Sequence, residues 1–309
     1  MYNISVFTIS GNLDSQDSTT TTGQTVPATV HGLSCTPNKV NNLTTINVRW
    51  EPAEGDSTLY NITYMAKYYI DTKWDTTSNE DMMIYNLTPG RIYSIIVFTI
   101  SSDLKSQNPA ITTCQTVPAT VHGLNCTPNK DNRTTVLDVF WEPVDGDCTG
   151  YHILCQASNT DDDSYSGDSY NHHFTCRELT PGRMYNVSVF TISGDFSSRS
   201  TFSFGQTEPA NVPSVNVAGY GKRAVVVKWD PARGDKDAYF VDLYAEDKLI
   251  HSVNTSVIDN VLDDAEVIID HLNFDFQYDA IVKTHSHALN STGTCSSGHS
   301  LYLLHNFKP

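Results

Sequence analysis

Hydrophobic and polar residues alternate with a period of two through the stretch that follows Arg183. Tyr185, Val187, Val189 and Thr191 fall on one side, and Asn186, Ser188 and Phe190 on the other. That pattern predicts a half-buried strand. A turn, Leu179-Thr180-Pro181-Gly182-Arg183, leads into it, and Ser193-Gly194 closes it. The same turn and strand return from Leu87-Thr88-Pro89-Gly90-Arg91-Ile92-Tyr93 to Ser101, and again, without the turn, from Met1 to Gly11.

Two further blocks recur. Thr25-Val26-Pro27-Ala28-Thr29-Val30-His31-Gly32-Leu33 is repeated from Thr116 to Leu124. Trp50-Glu51-Pro52 followed by Gly55-Asp56 and Tyr60 is matched by Trp141, Gly146-Asp147 and Tyr151, and by Trp229, Gly234-Asp235 and Tyr239. Pro27, Pro118 and Pro209 are spaced by 91 residues. A repeat of this length, built of short alternating strands with turn signals about every 8 to 12 residues, predicts an all-β chain of tandem immunoglobulin-like β-sandwiches. The boundaries fall at 1–26, 27–117, 118–208 and 209–309, the first segment supplying only the last two strands of a sandwich.

These blocks resemble the fibronectin type III module, in which a Pro near the start, a Trp on strand B, a Tyr on strand C and Leu-x-Pro-Gly-x-x-Tyr before strand F recur. The resemblance covers the whole chain. Gly-Asp before the strand C Tyr, Leu-Thr-Pro-Gly-Arg-x-Tyr and Phe-Thr-Ile-Ser-Gly look most like the ectodomain repeats of receptor-type tyrosine phosphatases of the vascular endothelial kind. That likeness implies an extracellular, non-enzymatic adhesion or ligand-presenting segment, with any catalytic domain across a membrane.

Composition narrows the choices. Of 309 residues 39% are hydrophobic, enough for several small cores, and the formal charge of −16 argues against nucleic acid or anionic membrane as partner. No stretch approaches the roughly 18 to 20 apolar residues needed to cross a bilayer. Met1-Tyr2-Asn3 opens directly on a strand without a leader pattern. The expectation is a window of a longer tandem protein. Its orphan hairpin should have the Tyr2, Val6 and Ile9 face covered by a neighbouring domain or chain, or by upstream sequence, since an isolated hairpin is marginal in water. Nine sequons stand at Asn3, Asn42, Asn61, Asn86, Asn125, Asn132, Asn186, Asn254 and Asn290, which fits a glycosylated protein of the secretory pathway.

Seven cysteines without a Cys-x-x-Cys pair point to disulfides rather than metal. Strand ends that meet at one pole pair Cys35 with Cys114. Cys155, inward on strand C, and Cys176, inward on strand E, pair across the sheets. Cys126 repeats the position of Cys35, but Gly205 stands where its partner would be. Cys126, Cys148 and Cys295 are left over, so at least one is free or linked to another chain.

Other candidate chemistry is sparse. Arg233-Gly234-Asp235 spells an integrin-binding tripeptide, yet Glu54-Gly55-Asp56 and Asp145-Gly146-Asp147 at the same place make Gly-Asp an architectural element of this turn. Asp161-Asp162-Asp163 lacks the ligand spacing of a calcium loop. His285 and His287 share a strand face without a third ligand. Tyr68, Tyr69 and Trp74 form an aromatic patch, read as ordinary strand packing or a ligand face. The third repeat lacks Pro-Gly before strand F and reads His271-Leu272-Asn273-Phe274-Asp275-Phe276-Gln277-Tyr278. No nucleophile elbow, phosphate loop, zinc-protease helix or phosphatase loop is present. No enzyme and no cofactor is expected. The partners are proteins, either cell-surface or matrix molecules or further copies of this chain, with an interchain disulfide as one route. A secreted matrix or fibre-forming subunit is the alternative to a receptor ectodomain.

Overall fold

The computed structural model describes residues 2–55, 57, 59–159, 163–257, 265–273 and 276–300. All regular structure among them is β. No helix in them is long and apolar enough to cross a membrane. Contacts group the chain into two units, one of residues 1–119 with 145–149 and 192–198, the other of residues 120–144, 150–191 and 199–309.

The first unit opens with β1 (Tyr2–Val6), β2 (Ile9–Ser10), β3 (Leu13–Asp14) and β4 (Thr19–Gly23), two small antiparallel ladders, β1 with β4 and β2 with β3. Tyr2 is 63%, Ile4 49% and Val6 62% exposed, whereas the repeat-equivalent Tyr185, Val187 and Val189 are fully buried. The expected cover is therefore not supplied by any described part of this chain. The reason is topological: the hairpin has no opposing sheet.

The sandwich that follows has β5 (His31–Pro37), β6 (Ile46–Glu51), β7 (Leu59–Ala66), β8 (Thr72–Thr77), β9 (Asp81–Ile84), β10 (Ile92–Ser101), β11 (Leu104–Lys105) and β12 (Ala110–Gln115). One sheet runs β5-β6-β9, and the other β8-β7-β10, with β11 and β12 both on β10. Burial along β10 alternates strictly, Tyr93, Ile95, Val97 and Thr99 facing inward. Each fully buried aliphatic side chain on such a strand contributes about 1.5–3 kcal/mol relative to exposure. Residues 145–149 and 192–198, a turn and a hairpin tip of the second repeat, belong to this unit.

The second sandwich comprises β13 (Asn125–Pro128), β14 (Leu137–Phe140), β15 (Gly150–Ala157), β16 (Ser164–Ser169), β17 (His173–Cys176), β18 (Met184–Ser193), β19 (Phe196–Ser197) and β20 (Thr201–Gln206). The third comprises β21 (Val215–Gly219), β22 (Val225–Trp229), β23 (Ala238–Ala245), β24 (Lys248–Ser256), β25 (Ala265–Ile269), β26 (Gln277–Ser286), β27 (Leu289–Asn290) and β28 (Thr294–His299). Both repeat the pairing of the first, as β13-β14-β17 against β16-β15-β18 and β21-β22-β25 against β24-β23-β26.

Each core is centred on one Trp–Tyr pair. Trp50, Trp141 and Trp229 are each 5% exposed, and their rings meet Tyr60, Tyr151 and Tyr239 edge-on at 5.2, 5.1 and 5.4 Å. Edge-to-face packing at this distance adds to the area buried. A second tyrosine locks the entry to the long central strand. Tyr93 and Tyr185 accept hydrogen bonds through their hydroxyls from Thr88 N and Thr180 N, both at 2.8 Å. Tyr278 does the same for Asn273 N at 2.9 Å although its turn lacks Pro-Gly. The residues before the turn leucines, Asn86, Glu178 and His271, all adopt left-handed backbone.

Candidate functional site

The chemically distinctive places in this chain are two turns that interlock with a Gly-Asp turn one repeat further on. In the first unit Pro89-Gly90-Arg91 meets Gly146-Asp147. Asp147 N donates to Pro89 O at 2.9 Å. Arg91 then grips the Asp147 carboxylate with both arms, Nε to Oδ2 at 2.9 Å and Nη2 to Oδ1 at 2.8 Å. Gln115 adds Nε2 bonds to the carbonyls of Gly90 at 2.9 Å and Ser193 at 2.8 Å, while Ser193 Oγ donates to Gly90 O at 2.7 Å.

The second unit repeats this contact for contact. Asp235 N donates to Pro181 O at 2.9 Å. Arg183 reaches Asp235 with Nε–Oδ2 of 2.9 Å and Nη2–Oδ1 of 2.8 Å. Gln206 Nε2 donates to Ser286 O at 2.7 Å, and Ser286 Oγ to Gly182 O at 2.6 Å. The backbones touch so closely that a Cβ on Gly182 would lie 2.1 Å from Asp235 O, and Gly182 has φ +74. Only glycine fits there.

Arg183 holds a second carboxylate, donating from Nη1 to Asp163 Oδ2 at 2.7 Å. The same oxygen accepts from Tyr185 Oη and Thr180 Oγ1, both at 2.7 Å. Hydrogen bonding from Arg183 holds the Asp235 carboxyl below the usual range, against its partial burial. At Asp163 burial pushes upward, but the bonds from Tyr185, Thr180 and Arg183 outweigh it and the carboxyl lies low as well. Burial and the bond to Asp163 push the Tyr185 hydroxyl up. Fork-shaped guanidinium–carboxylate pairing of this kind fixes geometry as well as charge.

This arrangement changes the reading of several sequence candidates. Arg233 is exposed, but the Asp235 carboxylate is engaged by Arg183 and 20% accessible, and Gly234 backs onto Pro181. Arg233-Gly234-Asp235 is thus not displayed as a free integrin motif, because its acid is an element of the interlock. Asp163 pairs with Arg183, and Asp161 and Asp162 lie outside the described residues. His285 Nδ1 lies 2.7 Å from Asn290 Oδ1, and His287 N donates to Asp237 Oδ2. Among the described residues no group of three or more His, Cys, Asp or Glu side chains could hold a metal.

The structure joins Cys155 and Cys176 in a disulfide across the sheets, with a Cα separation of 6.7 Å. Cys35 and Cys114, expected as a disulfide, are separate thiols. Their interaction holds Cys35 low and, with burial, pushes Cys114 up, while Cys35 Sγ donates to Thr113 O at 3.3 Å. Cys126 packs against Gly205, whose Cβ would come within 2.9 Å of the Cys126 Cβ, and burial pushes its thiol up to about 11. Cys148 and Cys295 are exposed.

Of the sequon asparagines, Asn3, Asn86, Asn125, Asn132, Asn186, Asn254 and Asn290 are exposed, and Asn42 and Asn61 half-buried. The aromatic patch divides. Tyr69 stacks under Arg91 at 4.2 Å and accepts from its Nη2, whereas Tyr68 and Trp74 stand 90% and 70% exposed, so Trp74 does not pack as an ordinary strand residue.

The partner of Arg91 and Arg183 was not read from the sequence, yet a signal existed. Each Pro-Gly-Arg is followed, one repeat later, by Gly-Asp. The third repeat, with Phe276 in the arginine position, breaks the rule.

Comparison with known proteins agrees with the fold. A sequence model of the fibronectin type III domain matches residues 28–114 and 119–204, more than half of the chain. Mouse Tenascin-N is 23% identical over 64% of this chain and 12% of its own length. Rabbit collagen alpha-1(XII) chain is 26% identical over 62% of this chain and 30% of its own. Chicken receptor-type tyrosine-protein phosphatase eta is 26% identical over 69% of this chain and 15% of its own. The chain therefore spans less than a third of these relatives.

Proposed function

Because the chain belongs to the fibronectin type III family, we propose that it is a non-catalytic extracellular segment that spaces and presents protein-binding surfaces, as part of a cell-surface receptor ectodomain. Its division into 1–26, 27–117, 118–208 and 209–309 forms part of that reading. The observation that carries it is the interlock, made twice with the same atoms: Arg91 on Asp147 and Arg183 on Asp235. Within the second unit a bidentate ion pair, a backbone hydrogen bond and a glycine contact at one turn hold the second and third repeats in register, which a loose linker does not.

Among the described residues the three sandwich cores are filled by packed side chains, and Arg91, Asp147, Arg183, Asp163 and Asp235 are engaged in structural pairs. Spin labels placed on β16 and β24, within the second unit, test the spacer reading. The native chain should give a narrow distance distribution and Arg183→Met a broad one. An equally broad distribution in both would refute it. A hydrolase and phosphatase screen of the purified chain should find no turnover.

A secreted matrix or fibre-forming subunit is the second reading. It is favoured by the tenascin and collagen relatives and by the exposed Cys295. It predicts disulfide-linked chains on non-reducing gels that vanish with reductant and in Cys295→Ser. The receptor reading predicts a single-chain species.

A further inference from the structure

Three of the four tryptophans fill sandwich cores, but Trp74 is 70% exposed on β8, the edge strand of its sheet. Register fixes its neighbours. Trp74 lies opposite Thr63, Thr63 opposite Ile96, and Ile96 opposite Ile111, one row across the outer face. The adjoining row holds Thr76, Asn61 and Phe98. Ile111 is 62% exposed, and Lys105 caps Phe98 at 3.3 Å from the ring centre.

Asn61 and Thr63 are the first and last residues of a sequon, and Thr63 Oγ1 donates to Asn61 Oδ1 at 3.3 Å. Both side chains therefore lie on the Trp74 face. A diagonal cross-strand pair stands about 7–8 Å apart, so Asn61 is within one sugar ring of the indole. At the corresponding register the second sandwich has Ser166 and His152, and the third Ser252 and Phe240. The exposed tryptophan and the sequon thus occur together in the first sandwich and in neither of the others.

We propose that Asn61 carries an N-linked glycan whose first N-acetylhexosamine rings lie across Trp74 and the Ile96–Ile111 row. One face of such a ring is lined by C–H groups and stacks on an indole, while its hydroxyls and amide turn to water. An apolar sheet face is thereby covered without a second protein. A second copy of the chain is the competing occupant. The net charge of −16 opposes it and leaves a neutral glycan unaffected. The inference goes beyond the spacer reading and rests only on its extracellular placement.

The test uses the full chain secreted from a eukaryotic host, with sites mapped by peptide mass spectrometry. Neutral acrylamide then probes tryptophan fluorescence, which it can quench efficiently only at Trp74. Asn61 should be occupied. Quenching should rise severalfold after enzymatic deglycosylation, and to the same level in untreated Asn61→Gln and Thr63→Ala. Trp74→Phe should abolish the difference. Glycans elsewhere with Asn61 bare would overturn the proposal and leave the extracellular reading intact. Glycan at Asn61 with unchanged quenching would overturn it too, as would shielding that survives deglycosylation in a sedimenting dimer. No glycan at any sequon would overturn both.

Discussion

Arg183 and Asp235, 52 residues apart in sequence, meet through two parallel hydrogen bonds of 2.9 and 2.8 Å. Their side chains are 17% and 20% exposed, so water screens the pair only in part. The same guanidinium also neutralises Asp163. One arginine thus ties a turn of its own repeat, a loop beside it and the turn of the next repeat.

Removing that arginine leaves two carboxylates facing each other. Arg183→Met is expected to cost about 1.5–3 kcal/mol, the range for hydrogen bonds to charged groups. Because several domains melt here, a single transition is a poor gauge. Hydrogen exchange of the Asp235 amide, bonded to Pro181 O, reports the contact directly. Its protection should fall sharply while that of the core amides of β22 stays.

Gly55 and Gly234 separate backbone strain from docking. They sit at equivalent places in the Gly-Asp turn with φ +85 and +82, so alanine meets the same left-handed cost at both, roughly 1–2 kcal/mol. A Cβ on Gly55 would have nothing within 4 Å, whereas on Gly234 it would lie 2.3 Å from Pro181 O. Gly55→Ala should therefore lower the stability of its sandwich modestly. Gly234→Ala should in addition open the interlock, read as lost protection at the Asp235 amide. Equal effects would mean that the turn contact contributes nothing.

Acid should loosen the second-unit interlock from the carboxylate side. Asp235 is held low by Arg183, and Asp163 by its donors in spite of burial. A depressed folded value means that the open state binds more protons as pH falls. The stabilisation is complete above the ordinary carboxylate value of 3.8 and is lost as pH drops through the lower folded values. Protection of the Asp235 amide should thus be flat from neutrality to about pH 5 and decline below pH 4. Asp235→Asn should be weakened at neutrality and flatter with pH.

Much of the fold was legible because its signals are local or repeated. Period-two alternation gave the long strands, and the recurring Trp…Gly-Asp…Tyr block marked the cores around Trp50, Trp141 and Trp229. What was hidden depends on pairs far apart in sequence. The link of Arg91 to Asp147 crosses 56 residues, and no pattern within one repeat exposes it. The third repeat hid its tyrosine lock differently. Tyr278 keeps the hydrogen bond to residue 273 without Pro-Gly, and His271 keeps the left-handed backbone that Asn86 and Glu178 adopt at the same place. The hairpin keeps, at Tyr2, Ile4 and Val6, a core pattern without the opposing sheet that would make it a core.

The tyrosine locks give a prediction of their own. Tyr278 Oη accepts from Asn273 N and donates to Asn273 O at 3.1 Å, while Tyr185 Oη accepts from Thr180 N and donates to Asp163. Phenylalanine at either site strands a backbone N–H, costing about 1–3 kcal/mol. Tyr185→Phe should also remove one of the donors that hold Asp163 low, so the Asp163 carboxyl should titrate higher by carbon-detected NMR. Tyr278→Phe should leave it unmoved.

The last expectation concerns Cys35 and Cys114. They sit on β5 and β12, strands that meet at the edge of the first sandwich, and each thiol acts on the titration of the other. In an oxidising compartment, exchange with a small-molecule disulfide would join them, each exchange releasing one reduced thiol. The loop closed is long, and chain entropy alone would stabilise the first sandwich by about 4 kcal/mol. Digestion of the unreduced secreted chain should yield a peptide linking Cys35 to Cys114, and reduction should lower the melting of that sandwich. Cys126 should remain a slowly alkylating thiol, because burial holds its value at about 11 and leaves little thiolate at neutral pH. If iodoacetamide labels both Cys35 and Cys114 under denaturing conditions before any reductant is added, the pair is not bonded and the stabilisation does not exist.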